Sequence, residues 1–394
     1  MSGRPCPACY APETSVFHEQ RDVPTNSCIL LETAAEAQAY PRGDIVLAMC
    51  RGCGFIFNQA FDQKLTEYSG RYEETQAFSD TFNSFHVALA DRLIEEHQLH
   101  GKSVLEIGCG KGEFLKLLCE RAGAQGVGFD PGYQAGRLAI PDDLDVSFVK
   151  DFYDERYVDQ SADFVCCKMT LEHLPAAKSF MDVVRSTIGD DSSDVFFQIP
   201  EARRIFETLA FEDIYYEHCN YFTAGSVFAL FQRSGFDVQS VNIEYDDQYL
   251  TVEARPSPTP PAPGPLADPT VIEELWALVN SYDARVAELL AEWRGAIDKS
   301  MLVGNNVVLW GSGSKGVSFL STIGRDEDIA GVVDINPHRW GHYMCGSGIP
   351  IVAPQDLVDI APDLVIVMNR VYVDEIRAEL TGLGLHPEIR ALGA

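Results

Sequence analysis

The chain has 394 residues, 46% hydrophobic and 23% charged, a length that suggests two or three domains with ample core. Its formal charge of −29 leaves no basic stripe to release counterions from a phosphate backbone, which argues against binding nucleic acid; a soluble, self-repelling surface explains the acidity. No apolar run reaches the roughly 18 residues of a membrane span, and "MSGRPCPACYAPE" lacks a secretion pattern, so a cytoplasmic protein without a membrane partner is expected.

The first 65 residues read as a loop-rich domain. Cys6-Pro-Ala-Cys9 and Cys50-Arg-Gly-Cys53 are two knuckles that each aim two thiolates at one point, and together they complete a tetrahedral sulfur site. Four protein ligands leave no open position, so a structural Zn²⁺ is expected rather than a catalytic one. The alternative is unrelated thiols or a redox pair. Cys28, between the knuckles, has no partner.

Residues 66–255 alternate helical and short apolar patterns, as an α/β domain does. Val104 to Ile107 read as a strand, Gly108-Cys109-Gly110-Lys111-Gly112 as a turn and Glu113 to Arg121 as a helix. Glycines let a ligand approach the backbone at a helix N-terminus, and Asp130, about twenty residues on, can accept from ribose hydroxyls. A glycine fingerprint alone is shared by dinucleotide folds. "FVKDFYD" then offers Asp151 and Phe152 to an adenine, and "ADFVCCKMTLEHLP" closes a further strand with Glu172 and His173.

Together "VLEIGCGKGEFL", "GVGFDPG", "KDFYD" and "ADFVCCKMTLEHLP" resemble the class I S-adenosylmethionine-dependent methyltransferases. The resemblance implies a mostly parallel seven-stranded sheet with S-adenosylmethionine across the carboxyl ends of its strands. Glu106, Gly108 and Gly110 would then cradle the amino-acid end and ribose, Asp130 and the adjoining Pro131 would meet the ribose, and Asp151 and Phe152 the adenine. With the cysteine knuckles, "YYEHCNYFT" and a final "LWGSGSKG" unit, the layout resembles the nucleotide-sugar C-methyltransferases of deoxysugar biosynthesis. That family implies an α/β chain of three parts: an N-terminal zinc-binding domain, a central Rossmann-like methyltransferase domain and a smaller C-terminal Rossmann-like domain. It implies a small-molecule partner, a nucleoside-diphosphate 4-keto-deoxysugar methylated at C3. A methyltransferase for oxygen, nitrogen or carbon of another metabolite is the nearest alternative.

Carbon becomes a nucleophile only after a proton leaves the position beside a ketone, and a histidine near neutrality suits that step. In "IYYEHCNYFT" His218 is the candidate base, Glu217 could orient it, and Tyr216 and Asn220 could grip the sugar or its enolate oxygen. Tyr215, Tyr221 and Phe222 read as packing and Cys219 as a bystander. His173, at the end of a core strand, is the rival base. Upstream, "EYSGRYEETQAFSDTF" supplies Tyr68, Tyr72 and Gln76, and the resemblance implies that a tyrosine here, Tyr72 by position, reaches over the active site.

Residues 256–300 read as a proline-rich linker, "RPSPTPPAPGPLADP", and one long amphipathic helix. The last unit, 301–394, opens with Gly311-Ser312-Gly313-Ser314-Lys315-Gly316 after a strand, and Asp334 follows about twenty residues later. Alone this would suggest a nicotinamide-dependent oxidoreductase. The unit is short, however, and Lys315 is its only lysine, so no Tyr-x3-Lys reductase pair fits. Lys315 at such a turn could meet a diphosphate, or the unit is a docking domain with a vestigial turn.

Overall fold

A computed structural model describes residues 4–188, 193–259 and 268–393. Part of the linker, residues 260–267, lies outside them. Three sheets organise the rest. The first contains β1 (Thr14–Pro24), β2 (Arg42–Cys50) and β3 (Ile56–Asn58), all antiparallel, and its fourth strand comes from far along the chain. That strand is β9 (Asn220–Tyr221), which pairs Ile56 with Tyr221 and Phe57 with Asn220. The "IYYEHCNYFT" stretch is therefore pinned to the cysteine-rich sheet.

The central sheet holds β4 (Ser103–Ile107), β5 (Gln125–Phe129), β6 (Val146–Val149), β7 (Phe164–Lys168), β8 (Asp194–Pro200), β10 (Phe236–Glu244) and β11 (Tyr249–Pro256). Its order is β10-β11-β8-β7-β4-β5-β6, parallel from β6 to β8, with β11 antiparallel to both neighbours. This is the seven-stranded, mostly parallel Rossmann-like sheet that the sequence led us to expect. "SVLEI" and "FVCCK" are near-continuous buried runs because helices cover both faces. Helices Asp80–His97 and Glu113–Ala122 cover one face, and Ala177–Ile188 and Ala224–Arg233 the other. Ser79 caps the first of these helices through Phe82 N, and Gly112 (φ 87) turns the chain into the second.

The third sheet contains β12 (Val307–Trp310), β13 (Ile329–Val333), β14 (Ile351–Val352), β15 (Leu364–Val367) and β16 (Glu388–Ala391). It is parallel throughout, ordered β14-β13-β12-β15-β16. The single long helix expected before it is two, Pro269–Asn280 and Tyr282–Leu302. Ser281 Oγ donates back to Leu278 O at 2.8 Å, which competes with the helical ladder, while Tyr282 turns inward against Phe206. One apolar cluster runs unbroken through Leu47, Phe206, Tyr216, Val279, Leu309 and Phe319, so the first and third sheets share a core.

Candidate active site

Over the carboxyl ends of β4 and β5, the glycine turn is shaped by what lies against it. Gly108 has φ 73, and a Cβ there would sit 1.9 Å from Thr170 Oγ1. Gly110 has φ 55, and a Cβ there would meet Glu74 Oε1 at 2.7 Å. Asp130, at the end of β5, accepts from Gly110 N at 3.0 Å and Gly132 N at 2.7 Å, which fixes its carboxylate against the turn. Burial pushes the Asp130 carboxyl above its ordinary range. Pro131, Asp151 and Phe152 line the same space; Asp151 is held by Tyr157 Oη at 2.7 Å. Glu106 is buried and its Oε2 has no hydrogen-bond partner among the described residues. A glycine cradle, a carboxylate fixed against it and an unsatisfied buried acid fit the cofactor that the resemblance implies.

These groups line a cavity of about 540 Å³ to which the central and third sheets contribute, with Cys28 and Gln63 from the N-terminal region. The segment 66–79 straps across it. Tyr68 and Tyr72 line the cavity, and Tyr68 Oη lies 3.0 Å from His173 Nδ1. The strap is tied to the C-terminal unit at several points. Asn336 donates to Glu73 Oε1 at 2.9 Å, Tyr372 Oη donates to Gln76 Oε1 at 2.8 Å, and Ser79 Oγ donates to Glu375 Oε2 at 2.8 Å. Gln76 is thus in the cavity wall, with its amide oxygen engaged by Tyr372.

His218 and His173 both line the cavity, their rings 4.9 Å apart. The partner of His218 is Tyr215, whose Oη lies 2.6 Å from Nε2; this tyrosine reads as packing in the sequence and in fact faces the cavity. The orienting role assigned to Glu217 needs correction. Its carboxylate accepts from Ser27 Oγ, from Asn26 Nδ2 at 3.1 Å and from Tyr72, and no bond joins it to the His218 ring among the described residues. Only its peptide oxygen serves a histidine, accepting from His173 Nδ1 at 3.1 Å. Tyr216 and Asn220 also stand apart from the cavity. The Tyr216 hydroxyl accepts from Asp62 N at 2.9 Å, and its ring packs on Phe61. Asn220 Nδ2 donates to Leu171 O and to Leu174 O, at 3.2 and 2.6 Å, and so anchors the turn that carries His173.

The electrostatics here favour neutral groups. Burial lowers His218 well below its ordinary value and His173 to about 4, so both imidazoles are free bases near neutrality. Glu172, fully buried with neither carboxyl oxygen bonded among the described residues, is pushed up to about 8 by burial. Glu172, His173 and His218 bring one ligating atom each within 4.8 Å of the others.

The second glycine turn enters the cavity from β12. Asp334 accepts from Ser312 N at 3.0 Å and from Asn336 N at 2.9 Å, so the carboxylate that would mark a nicotinamide site closes its own turn instead. Lys315 Nζ lies 2.8 Å from Asp213 Oδ2, which also receives Arg204; all three residues line the cavity. One carboxylate faces two cations, and burial pushes neighbouring Glu212 up to about 7.

Behind β2 and β3, Cys6 Sγ lies 3.7 Å from Cys53 Sγ, and Cys9 Sγ lies 3.6 Å from Cys50 Sγ. All four sulfurs fall within 4.8 Å of one another. Zinc–thiolate bonds of about 2.3 Å in a tetrahedron put sulfurs about 3.8 Å apart, so the donor set fits that ion.

Comparison with known proteins bears on the same regions. A methyltransferase-domain family matches residues 82–241, and the family described as the C-methyltransferase C-terminal domain matches residues 274–384. C-methyltransferase NovU of Streptomyces niveus is 24% identical over 301 residues, covering 73% of this chain and 71% of that protein. Among solved structures, magnesium protoporphyrin IX methyltransferase from Synechocystis PCC 6803 with bound S-adenosylhomocysteine is 15% identical (TM-score 0.37), covering 45% of this chain and 84% of that one. The Burkholderia thailandensis 1,6-didemethyltoxoflavin-N1-methyltransferase is also 15% identical (TM-score 0.33), covering 45% and 81%. With family matches over the central and the C-terminal sheets, the chain is an S-adenosylmethionine-dependent methyltransferase that is similar to C-methyltransferases.

Proposed function

We propose that the enzyme methylates C3 of a 4-keto-deoxysugar carried on a nucleoside diphosphate, with His218 removing the C3 proton. The observation that carries this reading is the Tyr215–His218 pair, which faces the same cavity as the cofactor turn. A neutral imidazole can accept a proton from the carbon beside a ketone. The two negative charges of a diphosphate would then favour the imidazolium that forms. Tyr215 holds the ring through Nε2, and the hydroxyl of Tyr68, in the cavity wall, is a donor for a developing enolate. Glu217 acts one step removed, by fixing Tyr72. The two cations Lys315 and Arg204, gathered on Asp213 in the cavity wall, suit the diphosphate.

S-adenosylmethionine, held by Glu106, Gly108, Gly110, Asp130, Pro131, Asp151 and Phe152, supplies an electrophilic methyl group on a sulfonium. Cys6, Cys9, Cys50 and Cys53 would hold a structural zinc, and the three sheets would mark units divided near residues 65, 255 and 300.

The test uses enzyme and a thymidine- or uridine-diphosphate 4-keto-deoxysugar in D₂O without methyl donor. Deuterium should wash into C3, and His218→Asn should abolish both exchange and methylation. Exchange that survives this substitution removes His218 as the base; methylation of a sugar lacking the ketone removes the carbon reading.

A further inference from the structure

Apart from the four cysteines, two groups of side chains among the described residues bring three metal-ligating atoms within 4.8 Å of one another. Glu96, His97 and Glu253 form the first, and their charges are already spent. Arg92 pairs with both carboxylates, and His97 lies between Glu253 and Asp194. Glu172, His173 and His218 form the second, and there the lone pairs are free.

Glu172 is 0% exposed, and neither of its carboxyl oxygens has a hydrogen-bond partner among the described residues. A buried carboxyl in that condition is costly, and an ion that takes it as a ligand removes the cost. His173 Nδ1 lies 3.1 Å from Glu217 O; a carbonyl only accepts, so Nδ1 carries the proton and Nε2 keeps a lone pair. His218 turns Nε2 to Tyr215 Oη, which leaves Nδ1. An imidazole whose second nitrogen is fixed in this way is oriented as metal-binding histidines are. The backbone around the three is fixed too. Cys219 Sγ donates to Glu172 O at 3.4 Å, and Asn220 Nδ2 donates to Leu171 O and Leu174 O, so the segment that carries His218 holds the turn that carries the other two. Both histidines line the cavity, which gives an ion its way in.

We infer that Glu172, His173 and His218 form a second metal site, for an ion of the Zn²⁺ class, and that its occupancy switches the enzyme off. Two imidazoles and one carboxylate suit zinc or cobalt better than magnesium or calcium, which prefer oxygen. The ion takes the His218 lone pair that would receive the C3 proton, and the carboxyl proton of Glu172 leaves as it binds. With three ligands against four thiolates, this site fills only after the cysteine cluster, so zinc in excess inhibits and its removal restores activity. The site itself is independent of the sugar reading; its effect on activity rests on His218 as the base.

Titration of the full, zinc-loaded chain with Co²⁺ tests this without any substrate. One further equivalent should bind and show the visible absorption of a nitrogen- and oxygen-ligated ion, without the near-ultraviolet band that thiolates add. Glu172→Gln and His218→Asn should each weaken that binding by about tenfold or more. His97→Gln, which breaks the other three-residue group, should leave it unchanged. In the methyl-transfer assay, Zn²⁺ beyond the first equivalent should inhibit the unaltered enzyme. Glu172→Gln, measured against its own activity without added metal, should need about tenfold more Zn²⁺ for the same inhibition. No further equivalent in the unaltered protein, a thiolate band, or a signal lost in His97→Gln but kept in Glu172→Gln would overturn the site. Cobalt binding at these residues with no inhibition by Zn²⁺ would overturn the switch.

Discussion

Tyr215 Oη lies 2.6 Å from His218 Nε2, with the two rings 4.0 Å apart, and both side chains face the cavity. Burial pushes the phenol well above its ordinary value, so it stays protonated, and a His218 that acts as base donates Nε2–H to this hydroxyl oxygen and keeps the Nδ1 lone pair for the incoming proton. Without that acceptor the ring loses its fixed orientation. Tyr215→Phe should lower kcat by about ten- to a hundredfold, with C3 exchange falling in parallel and KM within a few-fold of the unaltered enzyme. An unchanged kcat would mean the contact plays no part in the reaction.

The sulfur cluster is expected to hold one zinc per chain, measurable by elemental analysis. Phe55, two residues after Cys53, packs edge-on against Phe222 at 5.1 Å, so the knuckle reaches the segment that follows His218. Chelation should free four thiols to a thiol reagent, lower the melting temperature and remove activity together. Full activity in metal-free protein would contradict this.

Lys315 offers a sharper separation of substrate from cofactor. It sits beside Asp213 in the cavity wall. Lys315→Ala should raise KM for the nucleotide sugar by about tenfold and leave the affinity for S-adenosylhomocysteine alone. Parallel losses in both would assign the lysine to folding instead.

A pH effect on stability is written into the sheet's far edge. His97 lies 2.9 Å from Asp194 and 3.2 Å from Glu253. Burial opposes its charge, but the two carboxylates win and raise its pKa from 6.5 to about 9. A raised histidine stabilises fully below pH 6.5 and loses that contribution as pH climbs through 9. Asp194, held down to about 2, keeps its share until strongly acidic pH. Between pH 6 and 9.5 the protein should lose about 2–3 kcal/mol from this cluster, whereas His97→Gln should be nearly flat over that range. Thermal midpoints of the two proteins across the range decide it; equal slopes would refute the assignment.

Local signals carried the parts of this site that depend on neighbouring residues. The turn after β4 was legible because strand, glycines and helix follow one another directly, and the cysteine cluster because a Cys-x2-Cys spacing fixes two sulfurs by itself. Partners from distant segments were not. Nothing around Glu217 announces that Asn26 and Ser27, about 190 residues earlier, will take its carboxylate. Tyr215 and Tyr216 look alike in the sequence, yet adjacent positions in a turn face opposite ways, one to the cavity and one to the core. Lys168 ends an apolar strand, and the β4–β7 register, which pairs Glu106 with Cys166, sets both charged side chains on one face of the sheet.

The shared core of the first and third sheets, with Ser27 Oγ 2.7 Å from Ser314 Oγ, has a consequence for how the enzyme is made. The strands of the first sheet cannot bury their shared apolar face until those of the third, far later in the chain, have been synthesised. Contacts of such long sequence separation form slowly. The nascent first sheet must therefore wait, exposed, with its antiparallel ladder and its cysteine cluster as local ties until its partner arrives.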